Sequence, residues 1–166
     1  DFRLVNDSTI QGTYYTKGWA EHHQLSYTIR LASPVDSIAL YRDGKRELIQ
    51  PGYAVAKDTA DLKLHLYLPA GSEPYQVKIG VSAVSPEGAE KNLTAELPHW
   101  DFDAVHQESR RIWSEVLSRI TIETKDTTVL KNFYTAVYHA HIAPYNYQDV
   151  DGAFRGMDKQ IHQGDP

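Results

Sequence analysis

The feature that most limits what this chain can fold into is a change of hydrophobic period at Pro86. Ahead of it, apolar residues recur at every second position; behind it, they recur at helical spacing. Leu25, Tyr27, Ile29 and Leu31 alternate with Ser26, Thr28 and Arg30. Leu62, Leu64, Leu66 and Leu68 alternate with Lys63, His65 and Tyr67. Tyr75, Val77, Ile79 and Val81 alternate with Gln76, Lys78 and Gly80. Each pattern predicts a strand with one buried and one wet face, as in antiparallel sheets. Residues 2–5 and 37–41 are two further strands. Asp43-Gly44 has the chemistry to close a hairpin, and Pro51-Gly52 and Pro69-Ala70-Gly71 mark loops. Five or six short strands suggest part of a β-sandwich, short of a complete one.

Behind the break, Pro86 suits the first turn of a helix over residues 86–96 that stops before Pro98. The clearest helix covers 102–119, capped by Asp101 or Asp103. Its apolar stripe is Phe102, Val105, Ile112, Trp113, Val116, Leu117 and Ile120. A strand-like piece at 120–123 follows. A third helix, capped by Asp126 or Thr127, places Leu130, Phe133, Tyr134 and Val137 on one side and ends at Pro144. From Tyr145 onward no period repeats, so an open, glycine-punctuated loop is expected. Charge shifts at the same border: residues 1–85 carry 9 basic and 9 acidic side chains, and residues 86–166 carry 8 and 13. An aromatic helix followed by an open loop reads as a piece of something longer.

Composition narrows the chemistry. The 166 residues contain no cysteine, which excludes disulfides, thiolate metal sites and thiol catalysis. A net charge of −5 argues against nucleic acid as the main partner. No apolar run approaches the ~20 residues of a membrane-spanning helix. There is no Gly-x-Ser-x-Gly elbow, no phosphate-cradling glycine loop and no His-Glu-x-x-His. His139 and His141 stand about 200° apart on a helix, and His22 and His23 would point to opposite faces of a strand, so neither pair grips a metal. Asp149, Asp151 and Asp158 could bind calcium, but Gly152 falls at the fourth loop position and Gln160 takes the place of the last Glu, which fails as an EF-hand. The segment reads either as a loop whose Asp side chains cap turns or as a ligand-facing loop in which Arg155 and an Asp meet hydroxyls. Trp19 either packs in the core or faces a cleft. Trp100 reads as a linker residue. Asn6-Asp7-Ser8 and Asn92-Leu93-Thr94 match the glycosylation sequon. No catalytic group can be assigned from the residues themselves.

Several stretches in series resemble the family 92 glycoside hydrolases, calcium-dependent α-mannosidases. They are Gly12-Thr13-Tyr14-Tyr15-Thr16-Lys17-Gly18-Trp19-Ala20, the run from Val77 to Leu93, Trp100-Asp101-Phe102-Asp103 and Trp113-Ser114-Glu115-Val116-Leu117. The series closes with Phe133-Tyr134-Thr135-Ala136-Val137-Tyr138-His139 and the run from Asp149 to Asp158. Order and spacing agree over about residues 12–162. The resemblance implies a multi-domain fragment: an antiparallel β-sandwich part over 1–85, linker helices over 86–120, and over 121–166 the start of an (α/α)6 catalytic barrel. It implies hydrolysis of α-linked mannosides, here expected to be α-1,2, with inversion and calcium assistance. The acid, the base and the calcium ligands are expected outside this chain, which alone would be inactive. The implied partners are mannose-containing glycans and the rest of the same polypeptide, and the implied location is the periplasm or surface of a bacterium. The 149–158 loop would lie near the cleft, with Asp151, Arg155, Asp158 and Trp19 as substrate-binding candidates. Phe154 stands where members often carry Tyr, which removes a hydroxyl there. Two alternatives are a non-catalytic carbohydrate-binding sandwich and a structural or interaction domain.

Overall fold

The computed structural model describes residues 1–18, 21–55, 62–71, 74–144 and 146–165. They fall into two compact units, Asp1–Trp100 with Gln148–Pro166, and Asp101–Tyr147. The first unit holds the strands β1 (Phe2–Asn6), β2 (Thr9–Thr16), β3 (His23–Leu31), β4 (Ser37–Arg42), β5 (Lys45–Ile49), β6 (Ala54–Val55), β7 (Leu62–Tyr67) and β8 (Val77–Ser82), then helix α1 (Pro86–Glu96). The second holds helices α2 (Phe102–Leu117) and α3 (Thr127–Ala140). The chain then returns to the first unit with strands β9 (Ala153–Arg155) and β10 (Ile161–Gln163).

Two antiparallel sheets face each other, one ordered β6-β1-β2-β3-β8 and the other β5-β4-β7. Phe2, Leu4, Ile10 and Val55 from the first meet Ile38, Leu40 and Ile49 from the second in one buried cluster. This is the expected sandwich. The β4–β5 hairpin turns at Asp43-Gly44, both with positive φ, as the primed turns of tight hairpins require.

The outer face of the larger sheet departs from expectation. The polar positions of β3 were to be wet, yet Ser26 and Thr28 are fully buried. They belong to a cross-sheet layer in which Gln11, Thr28 and Gly80 stand in one row and Thr13, Ser26 and Ser82 in the next. Helix α1 covers this layer with Gly88, Ala89 and Leu93. The buried polar atoms find partners: Thr13 and Ser26 share a hydrogen bond of 3.1 Å, and Thr28 Oγ1 donates to Glu90 at 2.8 Å. Glu90 also pairs with Arg30. Small, hydrogen-bonding side chains let a helix lie close on a sheet, at the cost of looking solvent-exposed in sequence.

The opposite outcome holds for β8. Val77, Ile79 and Val81 share the inner face with Leu31, Ile29 and Tyr27 of β3, but 49%, 59% and 50% of their surfaces stay exposed. The smaller sheet has three strands against five and leaves this edge uncovered by the described residues.

The helices begin as the sequence predicts. Ser85 Oγ accepts from the Gly88 amide, Asp101 from Ala104, and Asp126 from Thr128 and Val129. Each satisfies an orphan donor of a first turn. Lys78 Nζ donates to Leu97 O at the end of α1, where a cation meets the negative helix terminus, and lies 4.3 Å from the Trp100 ring. In α2 and α3 no residue is fully buried; Trp113 and Tyr138 meet edge to face, with ring centroids 4.5 Å apart. Residues 120–123 form no strand, contrary to expectation, because no strand among the described residues pairs with them. Three strands carried no period in sequence: β2, β5 and β6. The segment after Tyr145 is not open either, since β9 and β10 pair as a short hairpin.

The closeness of α1 to the sheet yields a stability test. A Cβ at Gly80 would collide with the Ala89 carbonyl, a backbone atom that cannot swing away, and would lie 2.7 Å from Leu93 Cβ. Gly80→Ala should lower stability by about 1–3 kcal/mol, as overpacked sites do. Gly18→Ala, with nothing within 4 Å, should change it little. Urea unfolding of both variants checks the contrast.

Candidate functional site

The sequence singled out the loop 149–158, and the structure shows how it is held. Asp149 is 4% exposed, inserted between β8 and α1. Its carboxyl accepts from Ser82 Oγ at 2.7 Å and from Asn92 Nδ2 at 2.8 Å. Ser82 Oγ in turn accepts from the amides of Val84 and Ser85. Asn92 also donates to Val81 O and accepts from the Val150 amide, so the sequon asparagine spends its side chain as an internal clamp. A Cβ at Gly88 would occupy the space of the Asp149 carboxyl. The glycine of α1 therefore makes the socket that Asp149 fills.

The other candidates are tied up nearby. Asp151 accepts from Lys91 Nζ of α1 at 2.6 Å. That bond, followed by one from the Ala153 amide, holds the Asp151 carboxyl below the usual aspartate range and pushes Lys91 up. Asp158 accepts from His162 Nε2 at 2.9 Å and from the Gln160 amide at 3.0 Å, which lower its pKa in the same order. Arg155 spreads its guanidinium over three backbone carbonyls: Nε to Ala83 at 2.8 Å, Nη1 to Lys159 at 3.0 Å and Nη2 to Val84 at 3.3 Å. It staples the β9–β10 hairpin to the end of β8. Phe154 lies against His162, with ring centroids 5.5 Å apart, so a hydrocarbon ring does the packing there. Trp19 lies outside the described residues.

The structure thus brings Arg155 and Asp158 into one hairpin and joins Asp151 to α1. What it adds is Ser82, Asn92 and Lys91, which the sequence reading did not select as site residues, and a buried anchoring place for Asp149, which that reading had weighed only as a calcium ligand. Asn92 had been visible as a sequon and Ser82 as a residue after a strand pattern, and both fall in the run from Val77 to Leu93 that carries the family resemblance. Among the described residues, no three His, Asp or Glu side chains gather in a geometry that could hold a metal ion. Among them, too, no helix is long and apolar enough to cross a membrane. Asp151 is engaged with a lysine and Asp158 with a histidine, so neither stands free as a proton donor or base.

Comparisons with known proteins fit this architecture. Fold and anchored loop define the class first: a β-sandwich followed by helices. Residues 88–166 match the family model described as the glycosyl hydrolase family 92 catalytic domain. A family GH92 α-mannosidase from Bacteroides thetaiotaomicron superposes with a TM-score of 0.80 and 28% identity, over 99% of this chain and 22% of that one. An inverting family GH92 mannosidase from strain VPI-5482 of that species gives 0.79 and 19%, over 95% and 22%. A GH92 family glycosyl hydrolase gives 0.76 and 24%, over 98% and 22%. No curated protein matches the chain in sequence. The likeness to family 92 is thereby shown, for the catalytic-domain model over residues 88–166 and for the fold over nearly the whole chain. The chain spans 22% of the length of the solved relatives it matches.

Two outcomes test the site. Asn92→Ala removes a donor to Asp149 and the acceptor of the Val150 amide, and should cost about 1–3 kcal/mol, with faster hydrogen exchange at Val150. Asp149→Asn should cost a similar amount, because an amide nitrogen would face a donor. The pH dependence has a fixed sign. Asp151 and Asp158 have lowered pKa values in the folded protein, so what they add to stability is present above the ordinary aspartate pKa. It is lost as pH falls through the lowered values. Carboxyl NMR titration should give both midpoints below the ~3.9 of unperturbed aspartate.

Proposed function

We propose that the chain is the sandwich-and-helix portion of an α-mannosidase of family 92. The observation that carries this is the 28% identity to a family GH92 α-mannosidase, held over 99% of the chain at a TM-score of 0.80. Within the whole enzyme, this portion would serve as scaffold. The sandwich supports the 149–163 segment through Asp149, Asn92 and Arg155, and the apolar faces of α2, α3 and β8 would pack against the rest of the polypeptide. Exposed Phe102 and Ile112 of α2, Val129 of α3 and Ile142 just after it support that role, as large apolar side chains left at the surface.

The finer reading is hydrolysis of α-linked mannosides, α-1,2 foremost, with inversion and calcium assistance, by a protein exported to the periplasm or surface of a bacterium. Inversion needs an acid at the leaving oxygen and a base activating water across the ring, with carboxyls ~6.5–9.5 Å apart. Those groups, and the oxygen ligands that a calcium ion would take, belong to the barrel beyond this chain. Asp151, Arg155, Asp158 and Trp19 are carried as substrate-contact candidates on the family resemblance.

The experiment is hydrolysis of an α-mannobiose panel by the full-length protein, with calcium and then with EDTA. Release of α-configured substrate mannose as the β-anomer, fastest on the α-1,2 isomer and lost in EDTA, is the expected result. Residues 1–166 alone should release none. A folded full-length protein that turns over no linkage would shift the assignment to a carbohydrate-binding or structural domain.

A further inference from the structure

The outer face of the smaller sheet is not paved as a wet face ordinarily is. In an antiparallel sandwich the side turned away from the core is polar. Ile38, Leu40 and Ile49 of β4 and β5 enter the core, and Leu62, Leu64 and Leu66 of β7 pack against it. The alternate residues of all three strands therefore point outward. The register sets them in rows: Tyr41 stands between Arg46 and Lys63, Ala39 between Leu48 and His65, and Tyr67 in the row beyond. Rings and an aliphatic side chain occupy positions where short polar residues would serve solubility better.

These side chains are ordered against one another. The His65 ring lies 4.4 Å from that of Tyr41 across the β4–β7 pair. From β5, Arg46 reaches over β4 and places its guanidinium 5.6 Å from the centre of the Tyr67 ring. Ala39 is completely buried although it points away from the core, so the larger side chains close over it. Leu48 and Tyr67 stay exposed. The result is a broad floor of ring faces with a planar cation laid on it. Ring faces receive the C–H face of a pyranose, and a guanidinium receives a carboxylate through paired hydrogen bonds.

Charge selects among ligands. No Asp or Glu occupies any outward position of β4, β5 or β7. Glu47, in β5, has the opposite parity, and its carboxyl accepts from the Tyr53 hydroxyl. Asp43 stands beyond the strands, in the hairpin turn. Arg46 rests on a ring, which holds it without neutralising it. A chain of net charge −5 that keeps acids off these strand positions is complementary there to an anion. Arg46, Lys63 and His65 set among rings suit carboxylates spaced sparsely along a sugar chain. A nucleic acid, with phosphate at every nucleotide, calls for a denser basic surface.

We propose that the outer face of the β5-β4-β7 sheet is a docking platform for an acidic polysaccharide, a chain of pyranose rings bearing carboxylates. The platform would hold the polymer and break no bond, so the proposal does not rest on the mannosidase reading.

Titration calorimetry of the full-length protein tests this with polygalacturonate, the same polymer methyl-esterified, and oligothymidylate. Polygalacturonate should bind, more weakly as salt is added, and the ester about fivefold less tightly. Oligothymidylate should bind more weakly than polygalacturonate. Arg46→Gln removes the cation and Tyr67→Leu the flat ring; each should weaken polygalacturonate about fivefold, with unchanged thermal unfolding. Lys131→Gln, which removes a cation of α3, should leave affinity unmoved. Arg46 is exposed, so its variant keeps the test decisive if loss of the Tyr67 ring lowers stability. No binding of polygalacturonate to the folded protein would overturn the platform and leave the face to the rest of the polypeptide. Equal affinity for acid and ester would overturn it too, as would affinity unmoved in both platform variants. Tighter binding of oligothymidylate would overturn the glycan as occupant. Release of mannose from α-mannobiose is read in a separate assay, so failure of the enzyme assignment would be seen apart from failure of the platform.

Discussion

The insertion of Asp149 into the gap left by Gly88 is the contact on which most of the first unit depends. Some 50 residues separate Asp149 from the end of α1, and yet its carboxyl ends between a helix residue and a strand residue, Asn92 and Ser82. A polar group this deeply buried is tolerable only when its acceptor capacity is used, and here two side-chain donors use it. No buried side-chain nitrogen or oxygen among the described residues lacks a partner. One insertion therefore fixes three things: the seat of α1 on the sheet, the start of the 149–152 turn, and the return of the chain from the helical unit to the sandwich. Its geometry also positions Lys91 for Asp151 and the end of β8 for Arg155.

This explains why the returning segment is structured although its sequence shows no period. β9 and β10 are three residues each, too short to display alternation and too short to be stable as a free hairpin. Their order comes from long-range bonds, Arg155 to Ala83 and Val84 and Asn92 to Val150, which join residues more than 50 positions apart. Periodicity reads only local burial, so it sees nothing of such anchors. The helices were legible because caps and apolar stripes are local: Ser85, Asp101 and Asp126 sit where an orphan amide needs them. β2 was not. Thr9, Gln11 and Thr13 look like a wet face, and Gly12 interrupts the other.

The buried polar layer and the exposed apolar strip are two sides of one error in reading strands. Alternation says which residues share a face and leaves open which face is covered. In β3 both faces are covered, the inner by the second sheet and the outer by α1, and the layer of Thr13, Ser26, Thr28 and Ser82 is dry because a glycine- and alanine-bearing helix fits on it. In β8 the apolar side of the same sheet reaches past the three-stranded sheet. The family resemblance added what periodicity could not: an ordered series of motifs carries long-range information that no single element holds. Gly80, Gly88, Asn92 and Asp149 fall inside those quoted stretches, and the structure supplies their shared physical reason, one helix seated at contact distance on one sheet.

The same logic separates what the 149–163 segment does for the fold from what it offers to a ligand. Three acidic side chains in ten residues gave the segment its functional look, but each is engaged by a specific donor: buried Asp149 by a serine and an asparagine, and the exposed Asp151 and Asp158 by a lysine of α1 and by a histidine across the hairpin. Asp149, with both carboxyl oxygens used, positions the segment, while Asp151 and Asp158 stay at its surface. Cations are placed otherwise. Lys159 stands at a positive-φ turn, and Arg155 is gripped by carbonyls that orient it without neutralising it. A guanidinium bound to carbonyls keeps its full field, whereas one bound to a carboxylate does not.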